Sequence, residues 1–161
     1  MKTKFLITLL IYAVALTGCP SKSIQDAKAT SGKIATYANA GVNLTRELYG
    51  ANFLTLEQKD KIADGFIVLA KAGIVFDQAI VNAETTYGSN VPQNEIERLS
   101  AVFDAQIVTK FLDILTLLKL TNRAGNYAAV IESLRTAILI GARVFGHYRD
   151  VNTRIAAVTG G

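Results

Sequence analysis

Three short breaks divide most of this 161-residue chain into four long segments whose apolar residues recur at helical spacing. The breaks, at 50–52, 88–92 and 121–126, contain the glycine, asparagine and proline residues that end helices or form turns. The pattern predicts helices at about residues 24–49, 56–87, 92–120 and 126–158. Because connections of about four to six residues usually join antiparallel neighbours, we expect an all-α fold, an antiparallel up-down-up-down four-helix bundle.

The last segment has the most regular pattern. Its apolar seam recurs at alternating intervals of four and three residues, with a second apolar row beside it, which is the width expected of a packed helix. The seam consists of Tyr127, Ile131, Leu134, Ile138, Gly141, Phe145, Tyr148, Asn152 and Ile155. This pattern predicts a single helix through residue 158. At the start of the second segment, Thr55 and Gln58 have the spacing of a capping box.

Glycines interrupt three of the apolar stripes near the middle of long segments, at Gly41, Gly73 and Gly141. Glycine inside a helix costs up to about 1 kcal/mol relative to alanine, so a compensating interaction is expected. Two explanations are open. The glycines could permit close helix contact or make room for a neighbouring phenylalanine ring. Alternatively, they could line a mid-bundle cavity for an apolar ligand such as a lipid tail.

The first residues have the three parts of a secretory signal peptide. Lys2 and Lys4 precede an apolar run at 5–16, and the small pair Thr17 and Gly18 follows it. The apolar run is shorter than the roughly 20 residues of a typical membrane span. A cleaved signal peptide therefore describes this segment better than an uncleaved transmembrane helix.

The four residues Leu16, Thr17, Gly18 and Cys19 resemble the lipobox of bacterial lipoproteins. That motif is a leucine, a small or polar residue, a glycine or alanine, and then a cysteine. The resemblance implies cleavage between Gly18 and Cys19, a diacylglycerol on the Cys19 thiol and an acyl group on its new amino group. Two or three acyl chains hold a soluble domain on a bilayer, whereas one chain gives only marginal binding.

The resemblance also implies an organisation and a location. Residues 1–18 are the expected signal peptide, 19–23 the lipidated cysteine and a short tether, and 24–161 the helical domain. The expected location is the bacterial cell envelope, anchored to the membrane and facing the periplasm or the exterior. The residue after the cysteine influences sorting between inner and outer membranes in this family, and Pro20 does not indicate which of the two holds the anchor. With four antiparallel helices, the tethered start, the 88–92 turn and the C-terminus would share the membrane end.

Composition argues against several functional classes. The formal net charge of +4 falls to +2 when Lys2 and Lys4 leave with the signal, so nucleic-acid binding is not indicated. Cys19 is the only cysteine and His147 the only histidine, and the residue three before His147 is Val144. Neither a di-iron Glu-x-x-His pair nor a haem site can be assembled from this set. We therefore expect no metal and no cofactor beyond the lipid on Cys19.

A few polar residues sit close to the apolar stripes. They are Asp77, Asp104, Asp113 and His147. The carboxylates could point into the bundle, although such residues more often mark its solvent face. A lone histidine without a cysteine or a placed serine predicts an exposed or boundary residue and no catalytic centre.

Apolar residues extend around more than one face of the second and third segments, most clearly at 65–76 and 107–115. Lys71, Lys110 and Asp113 disfavour membrane spans there. Exposed apolar patches usually mark interaction sites, so helices 2 and 3 are expected to bind a protein partner or a second copy of the chain. The sequence thus predicts a non-enzymatic binding or scaffolding module. The alternative is a carrier of a lipid or other apolar small molecule in a mid-bundle cavity.

Overall fold

A computed structural model describes residues 20–160, with side chains from residue 24 onwards. The predicted signal peptide, Gly18 and Cys19 lie outside this range. Within it the chain is helical and contains no β-strand, so the all-α prediction is confirmed. The helices are α1 (Pro20–Gly50), α2 (Leu56–Tyr87), α3 (Gln93–Val102), α4 (Thr109–Leu120), α5 (Ala128–Val144) and α6 (Tyr148–Thr159). A π-helical segment (Phe103–Val108) joins α3 directly to α4, and a 3-10 turn (Ala124–Tyr127) precedes α5.

The first two helices begin where local chemistry favours it. Helix α1 starts at Pro20, whose fixed φ and missing N–H suit the first helical position, so the predicted tether is helical from that residue. Helix α2 starts with the predicted capping box. The Gln58 N–H donates to Thr55 Oγ1 at 3.2 Å, and the Thr55 N–H donates to Gln58 Oε1 at 3.1 Å. Two backbone donors of the first turn are thereby satisfied.

The predicted fourth helix is wrong as a single element, because the chain turns between α5 and α6. Gly146 has φ of 78° in the turn. The Gly146 N–H donates to the Arg143 carbonyl at 3.1 Å, and the His147 N–H donates to the Ala142 carbonyl at 2.8 Å. This is a Schellman motif, which ends a helix with a left-handed residue. Beyond it, α6 packs against both α5 and α4.

This extra reversal changes where the last helix ends. Lys119 Nζ, at the end of α4, donates to the Val158 carbonyl of α6 at 3.1 Å. Ile24, near the start of α1, instead shares a surface groove with Gly88 and Ser89. The prediction that the last residues lie at the end of the domain that holds the 88–92 turn is therefore wrong.

The π-helical segment explains the spacing of apolar residues in the third predicted helix, where Phe103, Ile107 and Phe111 follow one another at two successive steps of four. Phe103, Ile107 and Phe111 are all buried. The Thr109 N–H donates to the Asp104 carbonyl, five residues before it, and this wider turn keeps the three side chains on one face.

Aromatic rings fill the centre of the domain. Phe76, Phe103 and Phe145 form a cluster with ring centroids 5.3 to 6.0 Å apart. Phe66 stacks on Tyr127 at 5.6 Å. Helix α1 lies against α2 and α5, and the α3-to-α4 rod lies against α2, so the core lies between these helices.

Candidate functional site

The three central glycines each contact a neighbouring helix. A Cβ atom added at Gly41 would lie 2.5 Å from the Phe66 ring, and one added at Gly141 would lie 2.6 Å from the Phe103 ring. At Gly73 the added atom would lie 3.2 Å from the backbone nitrogen of Ala35. The space beside each glycine is therefore occupied by a ring or by helix backbone.

A buried hydrogen-bond chain crosses the core beside Gly41. The Tyr127 hydroxyl donates to Thr45 Oγ1 at 2.9 Å, and Thr45 Oγ1 donates to the Gly41 carbonyl at 2.7 Å. Tyr127 and Thr45 have no exposed surface. Burial raises the pKa of the Tyr127 phenol above its ordinary value, against the opposing effect of the hydrogen bond with Thr45.

One side of α2 exposes apolar side chains to solvent. Val68 is 45% exposed, and Ile74 and Val75 are each 60% exposed. Asp64 and Lys71 are exposed on the same side of the helix. We call these five residues the α2 face. The apolar side chains that are exposed on the second helix are thus Val68, Ile74 and Val75.

The third predicted helix differs at residues 107–115, where the sequence also indicates an apolar surface around more than one face. Of the apolar side chains at 107–115, all are buried or half-buried, and Asp113 is the one exposed residue in this stretch. Helix α6, predicted as part of a longer helix, packs against α4 and covers it, with Val151 and Ile155 buried at 1% exposure.

A second surface feature is a groove of about 550 Å³ beside the α5–α6 turn. Its lining includes Glu97, Asp104, Phe145, His147 and Asp150. An Arg154 guanidinium nitrogen lies 2.5 Å from Asp104 Oδ1 and 3.5 Å from Asp150 Oδ2, so the carboxylates are partly neutralised. The groove is open, and the His147 side chain is exposed beside it. Across residues 20–160, no three His, Cys, Asp or Glu side chains are grouped to hold a metal ion.

Other polar candidates tie helices together. Ser31, fully buried on α1, lies 2.8 Å from Asp77 Oδ1 on α2, and Lys28 Nζ lies 2.9 Å from Glu84 Oε2. The hydrogen bond with Glu84 raises the pKa of Lys28. Asp113 lies on the surface, 3.7 Å from Lys110. Ser31 and Lys28 thereby join α1 to α2.

Helix α2 has the length and hydropathy of a candidate membrane span, the one such helix among residues 20–160. In the domain, 44% of its most apolar 18-residue stretch is buried, with Phe66, Leu69 and Phe76 in the core. The Phe66 ring lies against Gly41 and Tyr127, and the Phe76 ring lies against Phe103 and Phe145. This stretch therefore packs inside the domain.

Comparisons with protein-family models, curated protein sequences and solved structures find no match to this chain. The function must therefore be argued from its own residues. The α2 face combines exposed apolar side chains with exposed charges, and it is the surface feature most suited to binding another macromolecule.

Proposed function

We propose that this protein is a bacterial cell-envelope lipoprotein whose helical domain is a non-enzymatic binding or scaffolding module at the membrane surface. The lipobox-like residues 16–19 support the anchor. The observation that carries the binding role is the α2 face, where Val68, Ile74 and Val75 are 45 to 60% exposed. Apolar side chains grouped in this way usually mark an interaction site.

We infer that α1, α2, the α3-to-α4 rod and α5 alternate in direction, as in the predicted bundle. Helix α6 is added to them as a fifth helical segment. Contacts between α1 and α2 support this, because residues later in α1 contact residues earlier in α2. The pairs are Lys28 with Glu84, Ser31 with Asp77, and Gly41 with Phe66. Arg135 on α5 and Asn152 on α6, 3.4 Å apart, support the last reversal.

With Cys19 anchored in the bilayer, the start of α1 and the 88–92 turn would lie next to the membrane, and the helices would extend away from it. Helix α2 has 32 residues and is about 48 Å long. Val68 lies 19 residues before Tyr87, roughly 30 Å from the membrane end. The α2 face would therefore be accessible to a partner that is itself anchored to the same membrane.

The carrier alternative receives less support from the geometry. A lipid-binding cavity at Gly41 and Gly141 would need the volume that the Phe66 and Phe103 rings occupy. The binding module therefore remains the better proposal.

The anchor can be tested by metabolic labelling with palmitate in cells that express the full chain. The wild-type protein should be labelled and remain with the membrane fraction, and Cys19→Ser should lose both properties. A matched control, Cys19→Ser with Ser21→Cys, restores a thiol two residues away from the lipobox position and should also remain unlabelled. Retention of unlabelled Cys19→Ser in the membrane fraction would contradict the proposed anchor.

The binding role can be tested with a photo-crosslinking amino acid at Val75 in intact cells. We expect a discrete crosslinked protein product there. The same amino acid at Asn43, an exposed position on α1, provides the comparison. Equal crosslinking at the two positions would argue against binding through the α2 face.

A further inference from the structure

Large apolar side chains are exposed where α1 and α4 end. Phe53 is 54% exposed and Leu56 is 56% exposed between α1 and α2, and Leu120 is 80% exposed at the end of α4. Tyr49, in the last turn of α1, is 40% exposed. We call these four residues the distal tip. They are separate from the α2 face, whose first residue is Asp64.

Contacts between α2 and the α3-to-α4 rod indicate that the two turns share one end of the domain. The centroids of the Phe76 and Phe103 rings are 5.3 Å apart, and a Cβ added at Gly65 would lie 3.2 Å from Ile114. Residues earlier in α2 therefore lie beside residues later in the rod, so α2 begins at the end where α4 stops. Helix α1 has 31 residues, so this end is roughly 45 Å from Pro20.

Basic side chains outnumber acidic ones around the distal tip. Two ion pairs, Lys59 with Asp60 and Lys61 with Glu57, are electrically neutral. The other charged side chains there, which form no ion pair among residues 24–160, are Arg46, Glu47, Lys119 and Arg123. The tip therefore combines an excess of positive charge with exposed apolar groups, and this combination favours binding to anionic phospholipid surfaces.

We infer that the distal tip binds an anionic phospholipid bilayer other than the one that holds Cys19. This inference goes beyond the partner proposed for the α2 face, and its two-membrane geometry rests on the proposed anchor. Cys19 immediately precedes α1 in the chain, so an anchor there leaves the tip at the far end of the domain. The protein would then link two membrane surfaces across the length of the domain.

The backbone of both turns suits shallow insertion into lipid. The Phe53 N–H donates to the Leu48 carbonyl at 2.9 Å, and the Arg123 N–H donates to the Leu118 carbonyl at 2.8 Å. These hydrogen bonds remain when lipid replaces water, whereas an unpaired backbone group would be costly there. The long Arg123 side chain can keep its charge at the headgroups while Leu120 enters the acyl region.

Tryptophan fluorescence tests the inference directly, because the chain contains no tryptophan. The lipid-anchored protein carrying Phe53→Trp is placed in phosphatidylcholine vesicles. Protein-free target vesicles, made of brominated phosphatidylcholine and phosphatidylglycerol in equal parts, are then added. Bromine in the acyl region quenches only a tryptophan that enters it, so we expect at least about a twofold loss of fluorescence. Tyr87→Trp, at the other end of α2 and 42% exposed in the native protein, is the matched control and should stay unquenched.

Anionic lipid and an apolar tip should both be required. Quenching of Phe53→Trp should be lost when the target vesicles lack phosphatidylglycerol. In the same background, Leu120→Ser should raise the target lipid concentration for half-maximal quenching by about tenfold, because one apolar side chain no longer enters the lipid. Ile140→Ser, which changes a 44% exposed residue of α5, should leave that concentration unchanged.

Three results would overturn the inference. The first is equal quenching of Phe53→Trp and Tyr87→Trp, and the second is equal effects of Leu120→Ser and Ile140→Ser. The third is attachment only to target vesicles that themselves carry the protein, which would assign the tip to a second copy.

Failure of this inference is distinguishable from failure of the proposed function. Crosslinking at Val75 and palmitate labelling of Cys19 do not involve the distal tip. If both succeed while Phe53→Trp stays unquenched, the anchored binding module stands and the second bilayer is excluded. If Cys19 carries no lipid, the proposed anchor fails, and the two-membrane geometry fails with it.

Discussion

Two glycines of α1 have different surroundings. Gly41 lies against the Phe66 ring, whereas Gly32 has no neighbouring atom within 4 Å of an added Cβ. The sequence marks both as unfavourable for a helix by up to about 1 kcal/mol. The surroundings decide whether that cost is offset by a contact.

We predict opposite effects of alanine at these two glycines. Gly41→Ala should lower the free energy of unfolding by about 1 to 3 kcal/mol, because the ring must move to admit the methyl group. Gly32→Ala should raise it by up to about 1 kcal/mol through better helix propensity. Urea unfolding of the mature chain carrying Cys19→Ser measures both. A stabilising Gly41→Ala would show that the Phe66 ring is free to shift.

Because the Tyr127 hydroxyl is buried, the free energy of unfolding should depend on pH in the alkaline range. Its pKa is raised in the folded protein by burial. The neutral phenol's contribution is fully present below the unfolded pKa of about 10 and is lost as the pH rises through the folded pKa, because the unfolded chain ionises first.

Tyr127→Phe tests this contribution. Near pH 8 the variant should be less stable than the wild type by about 1 kcal/mol, because the hydrogen bond to Thr45 is lost. Above about pH 10 the difference should shrink, since phenylalanine does not ionise. Urea unfolding of both proteins at each pH measures it, and a difference that is independent of pH would contradict the prediction.

At the scale of the elements, three helices end in the same way. Asn52, Asn122 and Gly146 have φ of 61°, 54° and 78°, and each is the left-handed residue of a Schellman motif after α1, α4 and α5. The first two lie in breaks that the sequence predicts. The sequence does not reveal the third, because the apolar seam continues across it, from Phe145 to Tyr148.

Substitution at Gly146 tests the third helix end. Gly146→Ala should cost about 1 to 2 kcal/mol, because a Cβ atom is disfavoured in the left-handed region. Gly146→Asn should cost less, since asparagine tolerates this conformation and already occupies it at Asn52 and Asn122. Thermal unfolding should rank the three proteins in the order glycine, asparagine, alanine. An alanine variant as stable as the wild type would indicate that the chain does not turn there.

For the whole molecule, the turn at Gly146 creates a separate last helix, α6, and determines which helices it packs against. Helix α6 lies against α4 and α5 and buries Val151 and Ile155. It therefore completes the core, and the apolar surface of α4 that was expected to bind a partner is covered from within the chain.

Removal of one buried side chain from α6 measures this contribution. Ile155→Ala should lower the free energy of unfolding by about 2 to 5 kcal/mol, because Ile155 is 1% exposed and its loss leaves a cavity. Ala157→Ser, an exposed position on the same helix, should change it by less than about 0.5 kcal/mol. A loss as small as that of the control would show that α6 does not pack against α4 and α5.

The sequence by itself determined the helical class and the capping box at Thr55. It also determined the helical segments predicted at 24–49, 56–87 and 92–120 to within a few residues. These properties depend on neighbours along the chain, through periodicity, capping and turn residues. Tertiary structure alone decided which rings fill the space beside Gly41 and Gly141, and which apolar face stays exposed. It also decided that the chain reverses at Gly146. Periodicity shows which side of a helix is apolar, but what covers that side is set by contacts between residues far apart in the chain.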